Sequence, residues 1–307
     1  MRSINLTSQS NIQFFHISNM YDYFELMKPR VMSLVIFTTI SGMYLAPSQI
    51  HPVLSFFSIL AIALGAGSAG AINQWIDKDI DKLMERTKKR PIPSGRVDSA
   101  EALTFSLVVS LISIIILGLS SNWFAAGLLF FTIFFYSVIY SIILKRKTPQ
   151  NIVIGGAAGA LPPVIGWTIA TGSISIEPII LFLIIFIWTP SHFWALSLYK
   201  SQDYRKAKIP MLPVIAGTKT TKLNILVYSL AMLPIIIAPY YFEFSSLFYL
   251  APVLLMTLYY NYLCFELFKS KVAKTSNKVA RKVFIYSIFY LFFIYLILLI
   301  DNARSLF

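Results

Sequence analysis

The sequence contains few charged residues and a single cysteine. Only 13% of its 307 residues are charged and 57% are hydrophobic, whereas a typical soluble domain has about 25% charged and about 45–50% apolar residues. This composition excludes a soluble globular enzyme and a disordered chain. Because Cys264 has no second cysteine to pair with, an internal disulfide, a secreted disulfide-rich fold and a metal site built from cysteines are excluded as well. The phosphate-loop pattern GxxxxGKS/T is absent, which argues against a P-loop ATPase.

Nine apolar runs account for most of the chain. A helix that crosses a bilayer needs about 20 mostly apolar residues, and backbone groups in lipid must form their hydrogen bonds within the segment. The sequence therefore predicts an all-α polytopic membrane protein in which nine transmembrane helices form one bundle. The predicted spans comprise residues 31–46, 53–72, 102–119, 123–144, 152–170, 179–198, 223–242, 247–265 and 283–300.

Basic residues are twice as numerous as acidic ones, 26 against 13, and they are confined to particular connections. The connections after the odd-numbered spans one to seven contain no Lys or Arg, whereas residues 1–30 and the connections after the even-numbered spans hold 25 of the 26. Lys and Arg accumulate on the cytoplasmic side of membrane proteins. We therefore expect a cytoplasmic N-terminus and a C-terminus on the opposite side, and we attribute the net charge of +13 to topology rather than to nucleic-acid binding.

The regions outside the spans are short. Residues 1–27 form a polar lead without the apolar core of a cleavable signal peptide. This lead has few basic residues, which favours the inner (cytoplasmic) membrane of a bacterium over a mitochondrial inner membrane. Residues 28–301 are predicted to form a single transmembrane domain, and residues 302–307 a short C-terminal tail.

An acidic segment begins where the second span should leave the hydrocarbon. Asn73, Asp77 and Asp81 are spaced by four residues, so on a helix they share one face. Carboxylates at this spacing repel one another unless a cation joins them, and Mg²⁺ binds through one or two carboxylates plus substrate phosphates. Arg86 and Arg90 follow, and arginine suits phosphate oxygens. A metal–diphosphate site is one interpretation, and a solvated, charged loop is the other.

A second acidic segment lies four spans later and therefore on the same side of the membrane. Its members are Asp203, Arg205, Lys206 and Lys208. The repeated order of apolar helix, acidic residue, basic residues and proline suggests two related halves about an axis along the membrane normal. We expect both Asp-bearing cytoplasmic loops to converge over a central cavity, where Asp203 completes the metal site and Lys208 neutralises phosphate.

A histidine near the inner end of the sixth span allows two interpretations. His192 precedes Phe193 and Trp194, and an ionisable residue within a membrane span is a functional candidate. It either orients or ligates a heme, or it is a neutral histidine packed against a neighbouring helix.

The acidic segment NQWIDKDIDKLMERTKKRP resembles the first Asp-rich motif of the UbiA-type intramembrane prenyltransferases. Segments containing SHFWAL at 191–196 and IPMLP at 209–213, together with residues 28–47 and 145–167, resemble the branch of this family that farnesylates heme, the protoheme IX farnesyltransferases. Many relatives carry a second Asp-x-x-x-Asp motif, but here Ala207 follows Asp203 by four residues. This departure leaves the number of metal ions open.

The resemblance implies a reaction and its participants. A farnesyl group passes from farnesyl diphosphate to a vinyl group of heme b, with addition of water, to give heme O and diphosphate. Mg²⁺ is the implied cofactor, and a downstream heme-modifying enzyme or an oxidase assembly step is the implied recipient of the product. The residues expected to hold Mg²⁺ are Asn73, Asp77, Asp81 and Asp203. Those expected at the diphosphate are Arg86, Arg90 and Lys208, and those expected at the heme are Lys28, Arg30, His192 and Tyr204.

Two alternative functions remain open on the sequence. One is prenylation of a quinone precursor or another lipophilic aromatic acceptor. The other is a membrane transporter, which is disfavoured because the acidic residues cluster at two loops on one face instead of being spread along the spans.

Overall fold

The structure, a computed structural model, describes residues 19–304. Residues 1–18 of the predicted polar lead and residues 305–307 of the predicted tail lie outside the described residues. Every regular element within 19–304 is helical. These elements are α1 Met20–Leu26, α2 Pro29–Leu45, α3 Pro52–Ile76, α4 Lys78–Leu83, α5 Ser99–Ser120, α6 Trp123–Phe134, a π-helix Phe135–Leu144, α7 Asn151–Ala160, α8 Pro162–Thr171, α9 Ile176–Tyr199, α10 Ser201–Lys206, α11 Leu212–Ile215, α12 Gly217–Tyr241, α13 Leu247–Lys269 and α14 Ala273–Arg304.

The structure is that of a multi-pass membrane protein. Among the described residues, eight helical segments are long and apolar enough to cross a membrane, and they match the second to ninth predicted spans. The first predicted span forms α2, which has only 17 residues. At 1.5 Å per residue, α2 is about 26 Å long, against about 30 Å for the hydrocarbon layer. The helical bundle is confirmed, whereas a ninth full-length span is not.

Two predicted spans are not continuous α-helices. The fourth consists of α6 followed by the π-helix, and the fifth consists of α7 and α8, which meet at Leu161. Pro162 and Pro163 follow and have no backbone N–H, so two hydrogen bonds of a continuous α-helix cannot form there. The ninth span also differs, because α14 begins at Ala273 and its polar first turns extend beyond the apolar segment.

Helices α2 and α8 touch through their backbones. A Cβ atom at Gly42 would lie 2.0 Å from the carbonyl oxygen of Pro163, and a Cβ atom at Gly166 would lie 2.0 Å from that of Thr39. Such a close approach requires glycine, as is common where membrane helices pack tightly. These two contacts fix α2 against α8.

Two apolar clusters form the interior of the bundle. One lies mainly among α3, α5, α6 and α8, and the other lies mainly among α9, α12, α13 and α14. Large apolar side chains also point outwards, for example Leu119 and Leu255, which are 74% and 70% exposed. Apolar residues on both the inside and the outside are expected where lipid surrounds the protein.

Candidate active site

The acidic segment forms the end of α3 and the start of α4, and its three predicted ligands are buried. Asn73, Asp77 and Asp81 are 4%, 0% and 3% exposed. The junction between the helices falls at Asp77, yet the backbone hydrogen bonds from Asp77 N to Asn73 O (3.0 Å) and from Asp81 N to Asp77 O (2.8 Å) keep helical spacing. The three side chains therefore follow one another along the same face.

Asn73 links three parts of the chain. Its Nδ2 donates hydrogen bonds to Asp77 Oδ2 at 2.8 Å and to Ser141 Oγ at 2.9 Å. Its Oδ1 accepts a hydrogen bond from Lys28 Nζ at 2.7 Å. The amide thereby orients the neighbouring carboxylate and joins α3 both to the π-helix and to the turn before α2.

Each buried carboxylate has a cationic partner. Asp77 Oδ2 forms an ion pair with Lys145, and Asp81 Oδ2 lies 2.7 Å from Arg90 Nη1. The other oxygen of Asp77, Oδ1, is buried and has no hydrogen-bond partner among the residues that the structure describes. An unpartnered anionic oxygen inside the protein is costly, which makes it a good candidate to bind an added cation.

The positive charges of the site exceed its negative charges. Lys28, Arg90 and Lys145 surround two carboxylates, those of Asp77 and Asp81. Burial, together with repulsion from Arg90 and Lys145, lowers the pKa of Lys28 to about 7, although the two carboxylates oppose this shift. A polyanion entering the site would favour the protonated lysine. The arrangement is thus suited to an anionic group such as a diphosphate.

Ser141 and Lys145 are functional candidates that the sequence analysis did not identify. Both are positioned by the π-helix Phe135–Leu144, in which Lys145 N bonds to Tyr140 O at 2.8 Å, five residues back. A π-helix is wider than an α-helix and often occurs at functional sites. The apolar run gives no signal for this geometry, and the only hint of Lys145 in the sequence is its place in the basic cluster Lys145–Lys147.

The two Asp-bearing segments meet through an apolar cluster. Asp203 lies in α10 and is partly exposed. Residues beside it pack against residues of α4 and the turn that follows. The cluster comprises Ile80, Met84, Ile152, Tyr204, Ala207, Ile209 and Met211. The predicted convergence of the two loops on one side of the bundle is therefore present.

The predicted four-residue metal set is not preassembled. Within residues 19–304, no group of three or more His, Cys, Asp or Glu side chains is arranged to hold a metal ion. Asp203 does not join Asp77 and Asp81 in such a group, and those two are paired with Lys145 and Arg90 instead. Basic side chains offset their buried charge, since burial of an unpaired carboxylate is unfavourable.

Other predicted residues differ in their surroundings. Arg30, Arg86 and Lys208 are exposed, and Lys208 has a left-handed backbone with φ of 53°. Arg86 lies within electrostatic range of Tyr140 at the site. Tyr204, predicted at the heme, is buried in the apolar cluster between the two loops, where it packs against protein.

His192 is enclosed by aromatic rings. It stacks between Trp188 and Phe284, with ring centroids 4.3 and 4.6 Å away. Its Nδ1 shares a hydrogen bond of 2.7 Å with Ser287 Oγ. These contacts favour the packed histidine over an iron ligand.

A cluster of charges ties α1 to the connection between α4 and α5. Arg96 forms ion pairs with Asp22 and with Glu25, the latter at 2.7 Å, and it also donates to the carbonyl oxygen of Lys89 at 2.9 Å. The hydrogen bond that Arg96 donates to Glu25 raises the pKa of Arg96, so its charge is permanent. We call this group the Arg96 clamp.

The turn after α1 places Lys28 within hydrogen-bond distance of Asn73. Gln74 Nε2 donates to the carbonyl oxygen of Leu26 at 2.8 Å, which ties the turn to α3. Lys28 itself has φ of 55°, a left-handed conformation that is strained for a lysine before a proline. Surrounding contacts must hold such a conformation in place.

Comparisons with known proteins agree with this architecture. The sequence profile described as the UbiA prenyltransferase family matches residues 35–297. The chain is 58% identical over 292 residues to a protoheme IX farnesyltransferase of Pelagibacter ubique, covering 95% of this chain and 96% of that protein.

Two solved structures share the fold. A structure of digeranylgeranylglyceryl phosphate synthase superposes with a TM-score of 0.76 at 18% identity, covering 92% of this chain and 98% of that one. A UbiA homologue from Archaeoglobus fulgidus bound to GPP and Mg²⁺ superposes with a TM-score of 0.63 at 15% identity, covering 90% and 99% of the two chains.

Proposed function

The chain belongs to the UbiA prenyltransferase family, and we propose that it transfers the farnesyl group of farnesyl diphosphate to a vinyl group of heme b. Water adds in the same overall reaction, and the products are heme O and diphosphate. The observation that carries the choice of acceptor is the 58% identity, over 95% of the chain, to a protoheme IX farnesyltransferase. This sequence identity is far higher than the 18% and 15% identity to the two solved prenyltransferase structures.

The site chemistry supports departure of a diphosphate. Breaking the allylic C–O bond separates a carbocation from a leaving group with roughly three negative charges at neutral pH. Arg90 and Lys145 supply positive charge at one place, and Lys28, with a pKa of about 7, becomes protonated when a polyanion binds beside it. One preorganised donor of this kind typically contributes about 2.7–4 kcal/mol of transition-state stabilisation. Apolar side chains around the site would keep water from the cation until the acceptor has reacted.

The oxygen atoms of the acidic segment fit a magnesium ion. Asp77 Oδ1 is buried and unpartnered, and Asn73 and Asp81 add oxygen donors of the type that Mg²⁺ prefers. Asp203 is proposed as a further donor from the facing loop. Magnesium, when bound, would neutralise the leaving group and act as a Lewis acid at its oxygens. The GPP and Mg²⁺ in the Archaeoglobus fulgidus homologue support this proposal.

The cellular setting is proposed from the charge pattern. Basic residues in the connections after the even-numbered spans support an N-terminus in the cytoplasm and a C-terminus on the opposite side, and the few basic residues of the polar lead support a bacterial inner membrane. The site then faces the cytoplasm, where farnesyl diphosphate is soluble. Arg30, at the same boundary, is proposed to meet a heme propionate, whereas Lys28, expected there from the resemblance, is assigned to the diphosphate because it donates a hydrogen bond to Asn73. A heme-modifying enzyme or an oxidase assembly step would receive the product.

Reconstitution of the purified chain tests the reaction. In liposomes with farnesyl diphosphate, heme b and Mg²⁺, we expect a pigment heavier than heme b by one farnesyl group plus one hydroxyl group, measured by chromatography and mass spectrometry. EDTA should remove at least about nine-tenths of the activity because the leaving group loses its counter-ion. Prenylation of 4-hydroxybenzoate in place of heme b would contradict heme b as the acceptor. Full activity in EDTA would contradict the requirement for a metal ion.

The Arg96 clamp provides a second test. Arg96→Ala should raise the KM for farnesyl diphosphate about tenfold with little change in the KM for heme b, because Lys28 loses its fixed position. Arg96→Lys should recover part of the loss. The control is Lys88→Ala, which breaks an exposed ion pair with Glu85 in the same connection. Equal effects on both substrates would show that the clamp only stabilises the fold.

A further inference from the structure

A groove with a basic rim lies on the outer face of α14. The groove is shallow and open, and its volume is about 410 Å³. Each lining residue has another three or four positions away, so together they form a single stripe along the helix. They are Lys278, Arg281, Lys282, Ile285, Tyr286 and Phe289.

The first half of the stripe is basic and unpaired. Lys278, Arg281 and Lys282 are exposed, and none takes part in an ion pair among the described residues. Three like charges within little more than one helical turn repel one another unless an anion lies between them. The groove therefore attracts a negatively charged group.

The second half of the stripe is apolar and firmly held. Ile285 and Phe289 are 43% and 56% exposed. Between them, Tyr286 donates a hydrogen bond from its hydroxyl to the carbonyl oxygen of Met256 at 3.0 Å, and its ring lies edge-on to Tyr259. The groove thus has an anion-attracting end and an adjoining apolar floor.

The stripe faces the lipid. Val279, Val283, Ser287 and Tyr290 point into the bundle and are buried, and the stripe occupies the other side of α14. The change from basic to apolar side chains over one turn marks the level at which phosphate headgroups end and acyl chains begin.

From this arrangement we infer that the groove binds one anionic phospholipid, with its phosphate between Lys278, Arg281 and Lys282 and an acyl chain along Ile285 and Phe289. The charge of the rim matches the headgroup, and the apolar floor matches the chain. A zwitterionic lipid offers the same acyl chain without the net charge. The inference does not depend on the proposed reaction.

The test uses the full-length protein, purified in a neutral detergent. Phosphatidylglycerol or phosphatidylcholine with identical acyl chains is added, and bound lipid is counted by native mass spectrometry. We expect one phosphatidylglycerol to bind at least about tenfold more tightly than phosphatidylcholine, and this preference should vanish in the variant K278A/R281A/K282A. Phe289→Ala should weaken the binding of both lipids equally.

A matched control separates a built site from general attraction. The variant K269A/K271A/K274A removes three charges from the same connection but none from the groove, and it should retain the preference. An equal loss in both triple variants, or equal binding of the two lipids by the unaltered protein, would overturn the inference. If the groove variant does not fold, Arg281→Gln alone should reduce the preference severalfold, and an unchanged preference there would overturn it too.

Discussion

Asp77→Asn is expected to reduce farnesyl transfer by about 10²–10³-fold, the usual effect of losing one group that stabilises a developing charge. The side chain is fully buried and keeps one oxygen without a partner. Asparagine preserves its shape and its hydrogen bond with Asn73 but removes the charge on which cation binding depends. Asp81→Asn, whose carboxylate is paired with Arg90, should behave similarly. The measurement is kcat/KM for heme O formation by purified protein in liposomes.

Asp79→Asn is the matched control for this loss. Asp79 lies two residues from both Asp77 and Asp81, but it is exposed, and a hydrogen bond from Arg146 holds its pKa below the usual range. Its replacement should cost less than about threefold, because exposed ion pairs contribute little. Thermal unfolding of each variant shows whether a loss of activity reflects the site or the fold. Unaltered turnover by Asp77→Asn would refute its role in catalysis.

Gly166→Ala is expected to destabilise the protein by about 3 kcal/mol or more, since overpacking that displaces backbone is among the costliest changes. The added methyl would overlap the carbonyl oxygen of Thr39, and an oxygen of the backbone cannot rotate away as a side chain can. Gly42→Ala should have the same effect through Pro163. Both variants should give a lower thermal unfolding midpoint in detergent and a lower yield from membranes.

Gly127→Ala is the control at a helical glycine. No atom lies within 4 Å of the Cβ position there, so the substitution should leave the midpoint unchanged or raise it slightly, because alanine favours the helix. A midpoint equal to that of the unaltered protein for both Gly42→Ala and Gly166→Ala would mean that α2 and α8 do not touch as described.

Several features of the site could be predicted from the sequence because they depend on neighbours along the chain. Asn73, Asp77 and Asp81 share a face through helical periodicity, and this spacing survives the junction of α3 and α4. Asp203 lies on the same side because an even number of spans separates it from Asp77. His192 could not be assigned, since its role depends on rings contributed by other parts of the chain.

The sequence by itself determined the number of apolar segments, their helical form and the meeting of the two acidic loops on one side of the bundle. These properties follow from hydrophobicity and charge, because they depend on residues close together in the sequence and on how those residues interact with the bilayer. Only the tertiary structure decided that Lys145 pairs with Asp77, that the fourth span widens into a π-helix and that α2 crosses α8 at Gly42 and Gly166. Such contacts join residues far apart in the chain, and they arise from close packing and from the need to satisfy buried charges, which no local pattern records.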